Sequence, residues 1–152
     1  KIIIQCQPGL AAFIDPSDIE IKIESQSKLY LRSDPKLMSI ILDNLLENAV
    51  IFRKTKKAKI RIQLFEDAKS IIIRVSDDGL GILKEQHDKI FEMFYRGSQK
   101  SKGNGLGLYL VKKSVLKLQG QISVESEEGK FTSFTIAFPK VIVSKELQTL
   151  LS

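Results

Sequence analysis

The sequence predicts an α+β fold: a two-layer α/β sandwich in which a mixed, mostly antiparallel sheet is covered by helices on one face. Three observations carry that reading. Segments with isoleucine at every second position, such as Ile19, Ile21 and Ile23, have the period of a half-buried strand. The stretch after Asp34 instead repeats apolar residues every three or four positions, the period of a helix. Short polar links at 66–69 and 127–130 fold neighbouring strands into hairpins.

Taken in order, residues 8–14 form a short opening helix with Pro8 near its first turn. A strand over 19–25 follows, then a second short strand over 29–32. Asp34-Pro35 starts the long helix, the aspartate as N-cap and the proline at the first helical position. Its apolar stripe is Leu37, Ile41, Leu45, Ala49 and Phe52, and the lysines beyond residue 53 suit its negative C-terminal end. Strands over 58–65 (Ile60, Ile62, Leu64) and 70–76 (Ile71, Ile73, Val75) come next, and the second runs into the turn Asp77–Gly81. A short helix is expected near 84–94. Residues 95–105, rich in Gly, Ser and Lys, read as a mobile loop. A helix over 106–119 stops at Gly120, and strands over 121–126 and 131–138 close the chain. The whole reads as one domain over 1–152, with its core at about 19–139.

The bulk composition excludes several classes. Of 152 residues, 43% are hydrophobic and 28% charged, enough apolar mass for a core without covalent staples. No apolar run approaches the roughly 18–20 residues that span a bilayer. One cysteine, Cys6, leaves no internal disulfide and fits a reducing compartment, and with one histidine, His87, it falls short of a zinc set. The net charge of +6 is carried mostly by lysines scattered over turns and helix ends, such as Lys54, Lys56, Lys57 and Lys59. With no aromatic-interleaved basic stripe, this reads as a solvated surface and not a nucleic-acid face. The chain opens on Lys1 without an initiator methionine, so it reads as a piece of a longer protein.

Three segments carry chemistry. Asn44 and Asn48 sit one helical turn apart, so both amides lie on one side of the helix. Two neutral carboxamide oxygens suit a hard cation such as Mg²⁺, which keeps several waters and takes phosphates as further ligands. The alternative is a pair of surface polar residues. Asp77 ends a strand in the turn Asp77-Asp78-Gly79-Leu80-Gly81-Ile82. Its carboxylate can accept from an exocyclic amine such as that of adenine, while Gly79 and Gly81 let a planar base approach the backbone; a plain strand-ending turn is the alternative. Gly103-Asn104-Gly105-Leu106-Gly107-Leu108 leads a loop into a helix, where free amides and the helix dipole favour phosphate. It does not follow a strand, so it is not a dinucleotide fingerprint, and no Gly-Lys-Ser/Thr makes it a Walker loop.

In this order, the segments resemble the catalytic, ATP-binding domain of bacterial sensor histidine kinases, within the Bergerat-fold ATPases of gyrase, MutL and the heat-shock chaperones. Asn44–Ala49 is similar to the family's N box, Asp77–Ile82 to its first glycine box and Ile90–Arg96 to its F box. Gly103–Leu108 is similar to its second glycine box and Gly129–Pro139 to its last. The resemblance covers about residues 19 to 139.

It implies ATP and Mg²⁺ as cofactors, with Asn48 the metal ligand. Asn44 then stands where the related ATPases carry a general-base glutamate. An amide cannot remove a proton, which suits transfer of the γ-phosphoryl to a protein acceptor and not to water. The resemblance further implies that Asp77 binds the adenine amine, with Gly79, Gly81 and Ile82 beside it and Thr132 helping through a water. Phe52 would lie against the base. Tyr95, Arg96 and Gly103 would belong to the lid region, and Gly105, Leu106, Gly107 and Leu108 to the phosphate side. Implied partners are a histidine-bearing dimerisation domain of the same parent, a homodimer through that domain and a downstream response regulator. Nucleic acid and direct membrane contact are not expected, and the implied location is the cytoplasm.

Three positions depart from the family's pattern: Ile51 where Lys or Arg is usual, Met93 where Arg is usual, and Phe131 in place of a glycine. The acceptor domain has no counterpart ahead of residue 19, and His87 reads as a surface histidine. Two further readings share the sequence. One is a serine kinase of the anti-sigma-factor type, against which the F box and Asp34-Pro35 weigh. The other is a degenerate interaction module, which Ile51 and Phe131 would support.

Overall fold

The computed structural model describes residues 15–26, 29, 31, 33–96 and 105–140. Five strands form one sheet: β1 (Ile19–Ser25), β2 (Ala58–Glu66), β3 (Ser70–Asp77), β4 (Gln121–Glu127) and β5 (Phe131–Pro139). Their order across the sheet is β1-β2-β3-β5-β4. β1 runs parallel to β2 and every other pairing is antiparallel. Two helices, α1 (Pro35–Ile51) and α2 (Gly107–Lys117), complete the expected two-layer sandwich.

Alternation decides which sheet face is buried. Ala58, Ile60, Ile62 and Leu64 of β2, Ile73 and Val75 of β3, and Phe134, Ile136 and Phe138 of β5 form one apolar surface. Against it α1 lays two rows one turn apart, Ile41-Leu45-Ala49 and Leu42-Leu46-Val50, and α2 adds Val111 and Val115. The opposite face is polar where β1, β2 and β3 carry Lys22, Glu24, Arg61 and Arg74, with Glu24 paired to Lys22 and Arg61. Such exposed pairs contribute little individually.

Local chemistry sets the element ends. The Asp34 carboxylate caps α1 by accepting from the amides of Lys36 (2.8 Å) and Leu37 (3.3 Å), with Pro35 at the first helical position. At the other end the Val50 carbonyl accepts from both the Arg53 guanidinium (2.9 Å) and the Arg53 amide (3.3 Å), closing the last turn. The β2–β3 hairpin is fixed by Asp67, whose carboxylate accepts from the amides of Lys69 and Ser70.

Three expectations change and a fourth is not tested. The helix over 8–14 lies outside the described residues; a 3-10 turn at Pro16–Asp18, capped by Asp15, leads into β1. Leu29 and Leu31 belong to no strand, although Leu29 is buried in the core, and the other two residues of 29–32 are outside the described set. The helix near 84–94 is only a 3-10 turn at Lys84–Gln86 followed by further turns. No side chain caps its start. Most of its bonds run from residue i to i−3, and Phe94 (φ 63°) breaks the backbone direction. Finally, the left-handed residue after α2 is Gln119 (φ 61°) and not Gly120. The Gln119 amide donates to the Leu116 carbonyl and the Gly120 amide to the Val115 carbonyl, the paired bonds of a Schellman motif. Gly120 is required for packing: a methyl there would lie 2.9 Å from the Ala137 carbonyl oxygen.

Candidate functional site

Asp77 is the last residue of β3 and shares the parity of the buried Val75 and Ile73, so it faces the helix layer. Across the sheet it pairs with Thr132 of β5 and Ile60 of β2. The Asp77 Oδ1 accepts from the Gly79 amide at 2.8 Å, while Oδ2 has no donor among the described residues. Burial, reinforced by the neighbouring Asp78 carboxylate, pushes the Asp77 carboxyl up to about 6, and the Gly79 amide and the Lys54 ammonium pull the other way. The carboxyl therefore sits where one more donor would be strongly favourable.

The two glycines of the turn are both needed, for different reasons. A methyl on Gly79 would lie 2.6 Å from the Phe52 carbonyl oxygen. Gly81 has φ +71°, and a methyl there would collide with the Glu127 carbonyl. The Leu80 amide between them donates to the Phe52 carbonyl at 2.9 Å, so the turn is fastened to the C-terminal end of α1. The Gly129 amide donates to the Leu80 carbonyl at 2.7 Å, fastening the β4–β5 turn to the same place. The expected residues Phe52, Asp77, Gly79, Gly81, Ile82 and Thr132 are thus brought together.

Two residues outside the expected site set join them. The Ser126 hydroxyl accepts from the Ile82 amide at 2.7 Å, donates to the Phe131 carbonyl at 2.7 Å, and lies 3.2 Å from the Thr132 hydroxyl. The Lys54 ammonium donates to the Gly129 carbonyl at 2.7 Å. His87 also has a structural partner, the Ile82 carbonyl at 3.1 Å from Nε2.

The two asparagines differ. The Asn44 Nδ2 donates to the Ile40 carbonyl of its own helix at 2.7 Å. Its Oδ1 faces the start of α2, where a methyl on Gly107 would lie 3.1 Å away. Asn44 therefore seats α2 against α1 and does not stand free beside Asn48 as expected. The partly buried Asn48 carboxamide has no hydrogen bond among the described residues, so its oxygen is available to a cation. That fits a divalent ion held mainly by phosphates and water; among the described residues no group of three or more His, Cys, Asp or Glu side chains could hold one.

Gly105 (φ +73°) turns the chain into α2, and its carbonyl accepts from the Phe94 amide at 3.1 Å. The two ends of the 95–105 loop are thus tied together. Leu106 is the N-cap residue and Leu108 and Tyr95 pack against the core, while Arg96 is exposed. Gly103 lies outside the described residues.

Of the departures, Ile51 is exposed on α1, Met93 is exposed, and Phe131 occupies the sheet face opposite to Thr132. Phe131 therefore leaves the Asp77 side open.

The family described as "Histidine kinase-, DNA gyrase B-, and HSP90-like ATPase" matches residues 33–142. The chain belongs to that family. Within this ATPase family it is 34% identical over 132 residues to the sensor-like histidine kinase SenX3 of Mycobacterium tuberculosis, covering 84% of the chain and 32% of SenX3. It is 32% identical over 142 residues to the sensor histidine kinase RcsC of Escherichia coli, covering 91% of the chain and 14% of RcsC. The chain therefore spans a third or less of these relatives. Among solved structures, the mycobacterial sensor histidine kinase MprB superposes with a TM-score of 0.71 at 26% identity, covering 81% of this chain and 83% of that one. Full-length ShkA, solved in complex with AMPPNP, gives a TM-score of 0.72 at 26% identity, over 86% of this chain and 28% of that one. The fold is that of an ATP-binding catalytic domain of the histidine kinase type.

Proposed function

We propose that the chain binds Mg·ATP and presents its γ-phosphoryl group to a histidine on a dimerisation domain of the same parent protein, from which a response regulator draws it. The observation that carries this is the Asp77 carboxylate, which has one oxygen committed to Gly79 and the other unpaired, in a wall of backbone that admits no side chain at Gly79 or Gly81. A flat base with an exocyclic amine suits that wall. From Phe52 to Asn44 is about 12 Å along α1. The base end and the α2 start beside Asn44 are thus far enough apart to serve opposite ends of one nucleotide.

In this reading Asp77 orients the base through its unpaired oxygen, with Thr132 beside it. Asn48 offers one oxygen to the metal. The ion would neutralise phosphate charge and hold the phosphates in line. Gly105, Leu106 and Gly107 bring the amide-rich start of α2 to the phosphate side. Asn44, bonded to its own helix, removes no proton, so water is poorly activated and the phosphoryl group is kept for the acceptor. Such catalysis is positioning and charge neutralisation. The domain extends over the whole chain in this reading and works in the cytoplasm, where ATP is available.

A thermal-shift titration tests the site. AMPPNP with Mg²⁺ should raise the melting temperature, with about 2.7 kcal/mol of added stability at a hundred times Kd. Asp77→Asn should remove the shift. No shift for the native chain at millimolar nucleotide would favour the interaction-module reading instead.

A further inference from the structure

Around the base end of the site the hydrogen bonds form a closed ring. The Phe52 carbonyl accepts from the Leu80 amide (2.9 Å) and the Leu80 carbonyl from the Gly129 amide (2.7 Å). The Gly129 carbonyl in turn accepts from the Lys54 ammonium at 2.7 Å. Lys54 follows Phe52 by two residues, so the chain itself completes the circuit. Two of the three bonds are backbone to backbone. The third depends on one side chain.

We propose that Lys54 is a positioning residue for the adenine end of the nucleotide site, closing this ring so that the glycine turn and the β4–β5 turn stay at the separation a base requires. The proposal rests on the nucleotide reading given above.

The residues of the ring make this more than an exposed lysine finding a carbonyl. Gly79 abuts the Phe52 carbonyl and Gly81 abuts the Glu127 carbonyl, so both glycines are pressed against elements the ring holds. Gly129 has φ +77° and open space where a methyl would stand, so side-chain packing does not seat its peptide; the Leu80 and Lys54 bonds add to the contacts of Glu127 and Ser126 with the glycine turn in holding it. The Glu127–Lys130 ion pair braces the β4–β5 turn internally but ties it to nothing else.

Lys54 also places a positive charge near Asp77. The groups around that carboxyl are Asp78 and the Gly79 amide on the same turn, Lys54 from the α1–β2 link, and the uncharged Thr132 and Ile60 of the flanking strands. Lys54 is the cation of this set and opposes the effect of Asp78. Removing it should make the carboxylate harder to form.

The test measures binding of Mg·AMPPNP and of adenosine alone by chemical-shift titration between pH 5.5 and 8, on the native chain, Lys54→Met and Lys54→Arg. Lys54→Met should raise Kd about fivefold for both ligands, and the loss of affinity on acidification should begin at a higher pH. Lys54→Arg should restore both properties. A purely structural loss would lower affinity without moving the pH at which binding falls, and that result overturns the proposal. So does native affinity in Lys54→Met. Weakening confined to AMPPNP, with adenosine unaffected, would make Lys54 a phosphate ligand and also overturn it. Failure of the native chain to bind either ligand, with Asp77→Asn no different, would instead sink the nucleotide reading beneath it.

Discussion

At the scale of single residues, Asp77 sets a conflict between stability and binding. Its carboxyl titrates at about 6 in the folded chain against an ordinary 3.8. The folded state therefore holds this proton more tightly than the unfolded one. The stability tied to it is fully present below pH 3.8, is lost as pH rises through about 6, and stays lost at neutral pH, where the cost is about 3 kcal/mol at most. Asp77→Asn should thus raise the melting temperature of the nucleotide-free protein at pH 7.5, with the gain shrinking by pH 4.5, while binding disappears. Melting curves at the two pH values check this; a variant less stable than the native chain at pH 7.5 would contradict it. In the native chain nucleotide affinity should fall as pH drops through about 6, since a protonated carboxyl no longer accepts freely from an amine. Gly81→Ala should fail more broadly. Its φ of +71° and the Glu127 carbonyl leave a methyl no room, and the expected result is a lower melting temperature and no binding. Asp77, Gly79, Gly81 and Thr132 are legible in the sequence because their spacing within a strand and a turn is their chemistry. The Gly129 contact of Lys54 and the role of Ser126 are not. Lys54 bonds a residue 75 positions away and Ser126 one 44 away, and no local pattern records such contacts.

At the scale of elements, the strands were legible because isoleucine alternation and burial have the same cause. Each odd or even set becomes core only because a helix layer covers that face. The 84–94 segment misled for the opposite reason: a scatter of apolar residues without a cap does not overcome the cost of starting a helix. The left-handed position after α2 was read one residue late, because a glycine in sequence looks like that position even when packing is what requires it. This yields a specific expectation. Gln119 holds φ 61° at the C′ position without being glycine, so Gln119→Gly should stabilise the domain by about 1 kcal/mol. Gly120→Ala should destabilise it, because of the Ala137 carbonyl. Asp34→Ala removes two capping bonds from α1 and should cost about 1 kcal/mol. Chemical denaturation of the three variants measures all of these, and equal midpoints for Gln119→Gly and Gly120→Ala would refute the division of roles between the two residues.

At the scale of the whole molecule, Phe52, Asp77, Gly79, Gly81 and Thr132 lie where the end of α1, the end of β3 and the β4–β5 hairpin converge, and Gly105, Leu106 and Gly107 lie at the start of α2. The acceptor histidine belongs elsewhere in the proposed mechanism. His87 is bonded to the Ile82 carbonyl inside the glycine turn and is badly placed to receive a phosphoryl group. Incubated with labelled Mg·ATP, this chain should bind nucleotide yet retain no acid-labile phosphate; label stable to gel filtration would overturn that division of labour. Mixing with a histidine-bearing dimerisation domain should restore phosphorylation on the added partner.

The strand order β1-β2-β3-β5-β4 has a consequence for synthesis. On one side β3 pairs with β5, the last strand among the described residues. While a ribosome is still making the protein, β3 has an open edge, and Asp77 has no Thr132 alongside it. The sheet can close only after about residue 139 has emerged, so the binding site forms after the rest of this sheet. Between the emergence of β3 and that of β5 a nascent chain would expose a hydrophobic strand edge, the condition in which strands pair with the wrong partner. Nucleotide in the cell could then reward completion, but could not assist the stages before it.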